Sequence, residues 1–355
     1  MSSSSKPLDN KTVLITGGTG SFGRAFLRMA LTEQSPRKLI VFSRDECKQW
    51  EMQQQDPLFR DERLRYFLGD VRDSDRLLRA FRDVDYVVHA AALKHVPAAE
   101  YNPTEFIKTN IHGAMNVIDA ALDRNVEKVI ALSTDKATNP INLYGATKLC
   151  SDKLFVHGNA YSGAHPRPSF AVVRYGNVLG SRGSIVQHWK AKLDAGEREL
   201  PLTDPRMTRF WITLDDAVRF TINAFSQMLG GEIFVPRIPS MSLTDLGRAI
   251  DPTARFKEIG IRPGEKLHEL LIGEDDARRT LRFDKHYVIA PEGLGERFAT
   301  LATLQQSGGV RLPDGFEYSS DKNDEWLDTA ALRRLLEHSG ALDHTNAVPT
   351  ARCAP

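Results

Sequence analysis

KTVLITGGTGSFGRAF, Lys11–Phe26, decides the fold. A short β-branched run, Lys11–Thr16, stops at a glycine cluster, and Arg24–Leu31 then has helical patterning. Gly17, Gly20 and Gly23 stand between them at Gly-x-x-Gly-x-x-Gly spacing. Glycine permits a tight turn and the close approach of a pyrophosphate to backbone amides, and a helix N-terminus favours the negative charge. A glycine-rich loop alone is a weak signal. Between a strand and a helix, with another strand following, it predicts a dinucleotide site that includes Gly17, Thr19, Gly20, Ser21, Phe22 and Gly23.

Outward from this loop the pattern repeats. Lys38–Phe42, Leu64–Leu68, Tyr86–His89, Val129–Leu132 and Phe170–Val173 are short apolar runs, separated by helical stretches such as Asn110–Arg124. This alternation predicts an α/β fold with a doubly wound parallel sheet of Rossmann type, covered on both faces. Past about residue 176 the elements shorten and Pro, Arg and Gly become more frequent. We assign residues 1–176 plus 212–236 to the dinucleotide-binding domain and 177–211 plus 237–340 to a smaller C-terminal substrate-binding lobe. The tail 341–355, with little to bury, is expected to be disordered.

Composition narrows the function. The chain has 355 residues, 41% hydrophobic and 26% charged, and its 47 basic and 46 acidic side chains leave a net charge of +1. No global field recruits nucleic acid or an anionic membrane, so an anion site must be local. Three cysteines, Cys47, Cys150 and Cys353, suit a reducing compartment rather than a disulfide framework. With no apolar segment in MSSSSKPLDN and no membrane span, a cytoplasmic location is expected.

The second strand ends in VFSRDE. An NAD site offers a carboxylate to the ribose at this point. Here Ser43 and Arg44 precede Asp45, and Lys48 lies one helical turn on. The planar fork of Arg44 suits a 2′-phosphate and predicts NADP; the alternative is that Asp45 takes the ribose and Arg44 is a solvated surface residue. Asp70, followed by Val71, is placed to accept from the adenine amino group. In HAAALKH, His89–His95, the small Ala90, Ala91 and Ala92 let the backbone approach the cofactor, and Lys94 projects into the same mouth. His89 and His95 lack a carboxylate or Cys partner at ligand spacing, so no metal is expected.

STDKATNPINLYGATK, Ser133–Lys148, carries the chemistry. Tyr144 and Lys148 share a helix face. The Lys148 cation and an oxidised nicotinamide both favour the phenolate, which then removes a proton from a sugar hydroxyl as hydride leaves. Thr134 hydrogen-bonds the same oxygen. On these residues and the glycine loop the chain resembles the short-chain dehydrogenases in their extended form, from about residue 10 to residue 270. Asp135 and Lys136 go further: they supply an acid and a base side by side, as elimination of water across carbons 5 and 6 requires.

The same string resembles the inverting UDP-N-acetylglucosamine 4,6-dehydratases, in which the Lys is assigned as the base at carbon 5. Membrane-bound relatives that retain configuration usually have Met where Tyr144 stands. To act as a base Lys136 must be neutral, and Lys148 and the nicotinamide are expected to lower its pKa, with Asp135 opposing. The resemblance extends to RYGNV (Arg174–Val178), where Asn177 and Val178 touch the substrate, and to PLTDPRMTRFWI, IRPGEKLHELLI and EYSSDKNDEWL. Arg209 and Arg262 are candidates for the diphosphate, with Glu265 and Lys266 in the same pocket and Lys94 as a further substrate candidate in the mouth. The resemblance implies UDP-N-acetylglucosamine as substrate, a homo-oligomer, hexamers being known in the family, and a product that feeds 6-deoxy amino sugars of surface polysaccharides or flagellins. The rivals are a nucleotide-sugar 4-epimerase, a retaining dehydratase, and an NADP sensor without turnover.

Overall fold

The computed structural model describes residues 6–163, 167–180, 184–295, 297–339 and 341–342. Of the tail expected to be disordered, 343–355 lies outside the described residues. A ten-stranded sheet forms the larger body. Its strands are, in chain order, β1 (Thr12–Thr16), β2 (Lys38–Ser43), β3 (Leu64–Leu68), β4 (Tyr86–His89), β5 (Lys128–Thr134), β6 (Ser169–Tyr175), β7 (Ile233–Pro236), β8 (Thr280–Arg282), β9 (His286–Ile289) and β10 (Val310–Arg311). They lie in the order β10-β8-β9-β7-β6-β5-β4-β1-β2-β3. From β3 to β7 every neighbouring pair is parallel. Strands β1, β4 and β7 are buried along their whole length, because helices cover both faces of a parallel sheet.

Strand order reverses between β1 and β4, which pair with Thr16 opposite His89. A crevice opens there, at the carboxyl ends of the strands. The helix Leu214–Gln227 returns from the smaller lobe to pack on the helix Ser21–Glu33 and leads into β7. Residues 280–311, which the sequence pattern assigns to the smaller lobe, supply β8, β9 and β10 to the edge of the large sheet. They join antiparallel, with β9 along the open backbone edge of β7. A strand edge left by the parallel set accepts either direction, and β8 and β9 are too short for their sequence to announce it.

The smaller lobe holds a three-stranded sheet, Ser240–Ser242, Thr208–Ile212 and Asn177–Val178, and two strand pairs. It has its own core, with Trp189, Trp211, Leu246 and Leu332 fully buried or nearly so. One helix also differs from the periodic pattern. The segment expected to be helical from Asn110 begins with a π-helical turn, Ile107–His112, before the regular helix Gly113–Asp123. That turn carries Asn110 into the crevice wall, where it is 1% exposed.

Candidate active site

The crevice consists of two continuous parts, with volumes of about 320 Å³ and 800 Å³. Gly17, Gly20 and Ala90–Ala92 line both. Gly17 has φ +68°, and a Cβ there would stand 3.0 Å from the backbone of Ala91. The loop is therefore pressed against the end of β4 with room for a ligand only above it. Thr16 Oγ1 ties the two strand ends together: it hydrogen-bonds His89 Nδ1 at 2.9 Å and accepts from Ala91 N at 3.2 Å. Burial, with the Lys148 cation behind it, pushes His89 down to about 3, so it stays neutral in this structural role.

The narrower part is lined by Thr19, Ser43, Arg44, Asp45, Lys48, Asp70 and Val71. Asp45 caps the helix Glu46–Gln55 by accepting from Lys48 N at 2.9 Å, and its other oxygen pairs with Lys48 Nζ at 2.6 Å. Its carboxylate is thus committed within its own turn. Arg44 is exposed, 3.8 Å from Asp70 Oδ2. Asp70 also accepts from Arg72. A dinucleotide fits this groove: a glycine turn with no space for side chains, a hydroxyl pair Thr19–Ser43 at 2.9 Å, and a cation at the far end.

The wider part holds the reactive groups. Thr134 ends β5 and caps the turn Asp135–Ala137. The helix Leu143–Gly158 starts with Asn142 as its cap and carries Tyr144 and Lys148. Gly145 lies against the Lys136 carbonyl so closely that a Cβ would collide with it. That contact brings Tyr144 beside Lys136. Burial pushes the Tyr144 phenol up to about 12, against the Lys136 cation and a hydrogen bond with Thr134. Lys136 is therefore the main cation opposing the shift, a part that the Tyr-x-x-x-Lys spacing assigns to Lys148. Lys148 is buried one turn from Asp152, and burial pushes its ammonium down.

Lys136 departs from expectation. Its Nζ lies 3.1 Å from Asp135 Oδ1 and 3.3 Å from Glu269 Oε1. Burial works against the ammonium, but these two carboxylates outweigh it and raise its pKa above the ordinary lysine range. Asp135 is fully buried, and burial raises its carboxyl. The sequence pattern anticipates one carboxylate beside Lys136; the second comes from a strand start in the smaller lobe. The signal for it was a Glu inside the apolar run LHELLI, residues 267–272.

Around these groups the predicted substrate residues divide. Asn177, Val178, Lys94, Arg262 and Glu265 all line the wider part. Arg262 pairs with Glu265, and Asn142 Nδ2 donates to Gly264 O at 2.8 Å, which holds this segment against the Tyr144 helix. Arg209 also lines the pocket, but its guanidinium is buried and engaged. It donates to Thr208 O at 2.7 Å, Leu267 O at 3.0 Å and Lys266 O at 3.0 Å, and its Nε stands 3.6 Å from Glu269. It braces the wall instead of presenting a fork to a diphosphate. Asn110, which sequence reasoning did not single out, pins Leu93 through both N–H and C=O at 2.9 Å and donates to Thr147 Oγ1 at 3.0 Å. Below the floor, Arg174 pairs with Asp152 at 3.2 Å, and Ser133 Oγ donates to the same carboxylate at 2.7 Å.

A doubly wound sheet with a glycine turn at the strand-order reversal, and Thr134, Tyr144 and Lys148 across from it, defines an extended short-chain dehydrogenase/reductase. A family model described as "Polysaccharide biosynthesis protein" matches residues 13–291, and the chain belongs to that family. It is 52% identical over 334 residues to the UDP-N-acetylglucosamine 4,6-dehydratase (inverting) of Campylobacter jejuni, covering 93% of this chain and 98% of that protein. It is 39% identical to the UDP-glucose 4-epimerase of Rickettsia akari, covering 92% and 95%. Among solved structures, Pen from Bacillus thuringiensis superposes with a TM-score of 0.85 at 36% identity, covering 94% of this chain and 99% of that one. Among the described residues no helix is long and apolar enough to cross a membrane.

Proposed function

We propose that the protein is a UDP-N-acetylglucosamine 4,6-dehydratase that inverts carbon 5 and uses NADP. The observation that carries this reading is the Lys136 amine, set between two carboxylates beside Tyr144. A 4-epimerase has no use for that cluster, and the epimerase relatives are less similar than the dehydratase ones.

A nicotinamide held by the Gly17 and Gly20 turn and the Ala90–Ala92 backbone would supply an acceptor for the carbon 4 hydride and its return to carbon 6. Tyr144 takes the proton of the carbon 4 hydroxyl as its phenolate, the form that the Lys136 cation and the positive charge of a bound nicotinamide favour against burial. The ketone so formed acidifies the proton on carbon 5. Lys136 is protonated at rest, and Asp135 Oδ1 is 3.1 Å away, so proton transfer between them yields a neutral amine and a carboxylic acid side by side. Lys136 then removes the carbon 5 proton, and Asp135 protonates the departing carbon 6 hydroxyl, which leaves as water. A proton drawn from solvent on the opposite face of carbon 5 inverts that centre, and Tyr144 returns to solvent the proton it took from the hydroxyl, which balances it. Lys136 and Asp135 end as the ion pair they began as.

The committed carboxylate of Asp45 and the exposed fork of Arg44 support NADP over NAD. The proton NMR spectrum of the protein with UDP-N-acetylglucosamine in deuterated water tests the reaction. A new carbon 6 methyl signal is expected, with deuterium at carbon 5 and couplings of the inverted ring. The original ring couplings would discard inversion, and a carbon 4 epimer without a methyl signal would discard dehydration.

A further inference from the structure

We propose that Glu269 is a positioning residue: reaching in from the smaller lobe, it holds Lys136 in a carboxylate–ammonium–carboxylate row, so that the base is discharged only through Asp135. This rests on the dehydratase reading above.

Glu269 is 2% exposed. Its backbone is fixed on both sides by one residue, with N donating to Ser320 Oγ at 2.9 Å and O accepting from Ser320 N at 2.9 Å. The side chain therefore has one direction to point, into the crevice. Its Oε1 meets Lys136 Nζ at 3.3 Å and Arg209 Nε at 3.6 Å, while Oε2 is buried without a hydrogen-bond partner on the pocket wall. A carboxylate placed only to support Arg209 would be expected to take the two-pronged geometry that guanidinium favours. Here the guanidinium is occupied by three carbonyls and the shorter contact goes to Lys136. Burying a carboxylate with half its lone pairs unused is costly, and a structural role alone does not account for it.

The charged groups around the row are few. Asp135 comes from the turn after β5, Lys266 and Glu269 from the smaller lobe, Arg209 from its strand, Tyr144 from the helix and Lys94 from the loop after β4. Lys266 donates to Thr138 O at 2.6 Å, directed away from the row. Arg209 neutralises Glu269 in part, so Lys136 meets nearly two negative neighbours. With both present, the ammonium does not lose its proton to solvent at any ordinary pH. It passes the proton to Asp135, the neighbour that also needs one. Without the Glu269 charge, Lys136 ionises at lower pH, and the proton needed by the leaving hydroxyl drains away in alkali.

The test is the pH profile of carbon 6 methyl formation for the wild type, Glu269→Gln and Glu269→Asp. The wild type should show no alkaline decline attributable to Lys136. Glu269→Gln should gain an alkaline limb, lowered by roughly 1–3 pH units as loss of a nearby opposite charge dictates. Glu269→Asp, which keeps the charge at greater distance, should fall between. Absorbance of reduced nicotinamide on mixing with the sugar nucleotide reports that each variant folds and binds. A uniform loss of rate with no moved limb overturns the proposal, as does a Glu269→Gln profile like that of the wild type. If Glu269→Gln does not fold, Glu269→Asp carries the test, and a Glu269→Asp profile with no alkaline limb overturns it. A wild type that forms no methyl signal defeats the dehydratase reading itself, and this inference with it.

Discussion

The two ends of the crevice are built on different principles. The nucleotide end is made largely from backbone just after neighbouring strands: a glycine turn, a helix start, the ends of β2 and β3, and small residues at the end of β4. The sugar end adds side chains far away in sequence to one strand–turn–helix unit. Asp135 and Glu269 flank one amine, and Arg174 and Asp152 brace the floor beneath it. Backbone geometry serves a ligand whose shape does not change during the reaction. Charged side chains serve one that gains and loses protons. Cofactor affinity should therefore survive changes that remove catalysis, and the reverse should hold for Arg44.

Lys136→Ala tests this most severely. Methyl formation should fall by about 10²–10⁴-fold, the contribution of a general base, while NADP affinity measured by titration stays within error. A parallel loss of NADP would erase the distinction between the two ends. Arg174→Met comes next. It leaves the Asp152 charge buried, 1% exposed, without its partner, and should lower unfolding free energy by about 3–5 kcal/mol in a denaturant titration. A change below this range would mean that the floor is held by packing alone. Arg44→Ala should weaken NADP by roughly 10- to 100-fold, the loss of one charged hydrogen-bonding group, with little change for NAD. Equal losses would place the 2′-phosphate elsewhere. Asn110→Ala should cost about 1–3 kcal/mol, because it strands the N–H and C=O of Leu93, and it should lower turnover more than NADP affinity. Thermal melting and steady-state rates give both numbers.

The same contrast explains what could be seen in the sequence. Gly17, Gly20, Arg44, Asp45 and Asp70 each come just after a short apolar run, so the runs themselves locate them. Thr134, Asp135, Lys136, Tyr144 and Lys148 fall within one strand–turn–helix unit for the same reason. Glu269 lies 134 residues from Asp135, and only the folded path of the smaller lobe brings it there. Arg209 was visible as a cation, but its carbonyl partners at 266 and 267 were not, so its engagement had to be observed. Strands β8 to β10 carry no legible period in two to four residues each, and their place is set by the edge they find.

One side chain sets a tolerance for the whole crevice. Asn110 answers both the donor and the acceptor of Leu93, as a facing peptide in a ladder would, and its amide also reaches the helix at Thr147. It works as a dowel between two plates. The loop bearing Lys94 and the helix bearing Tyr144 are indexed to a single pin, so a displacement of one carries the other by the same amount, and the width of the crevice mouth on this side is not an independent variable.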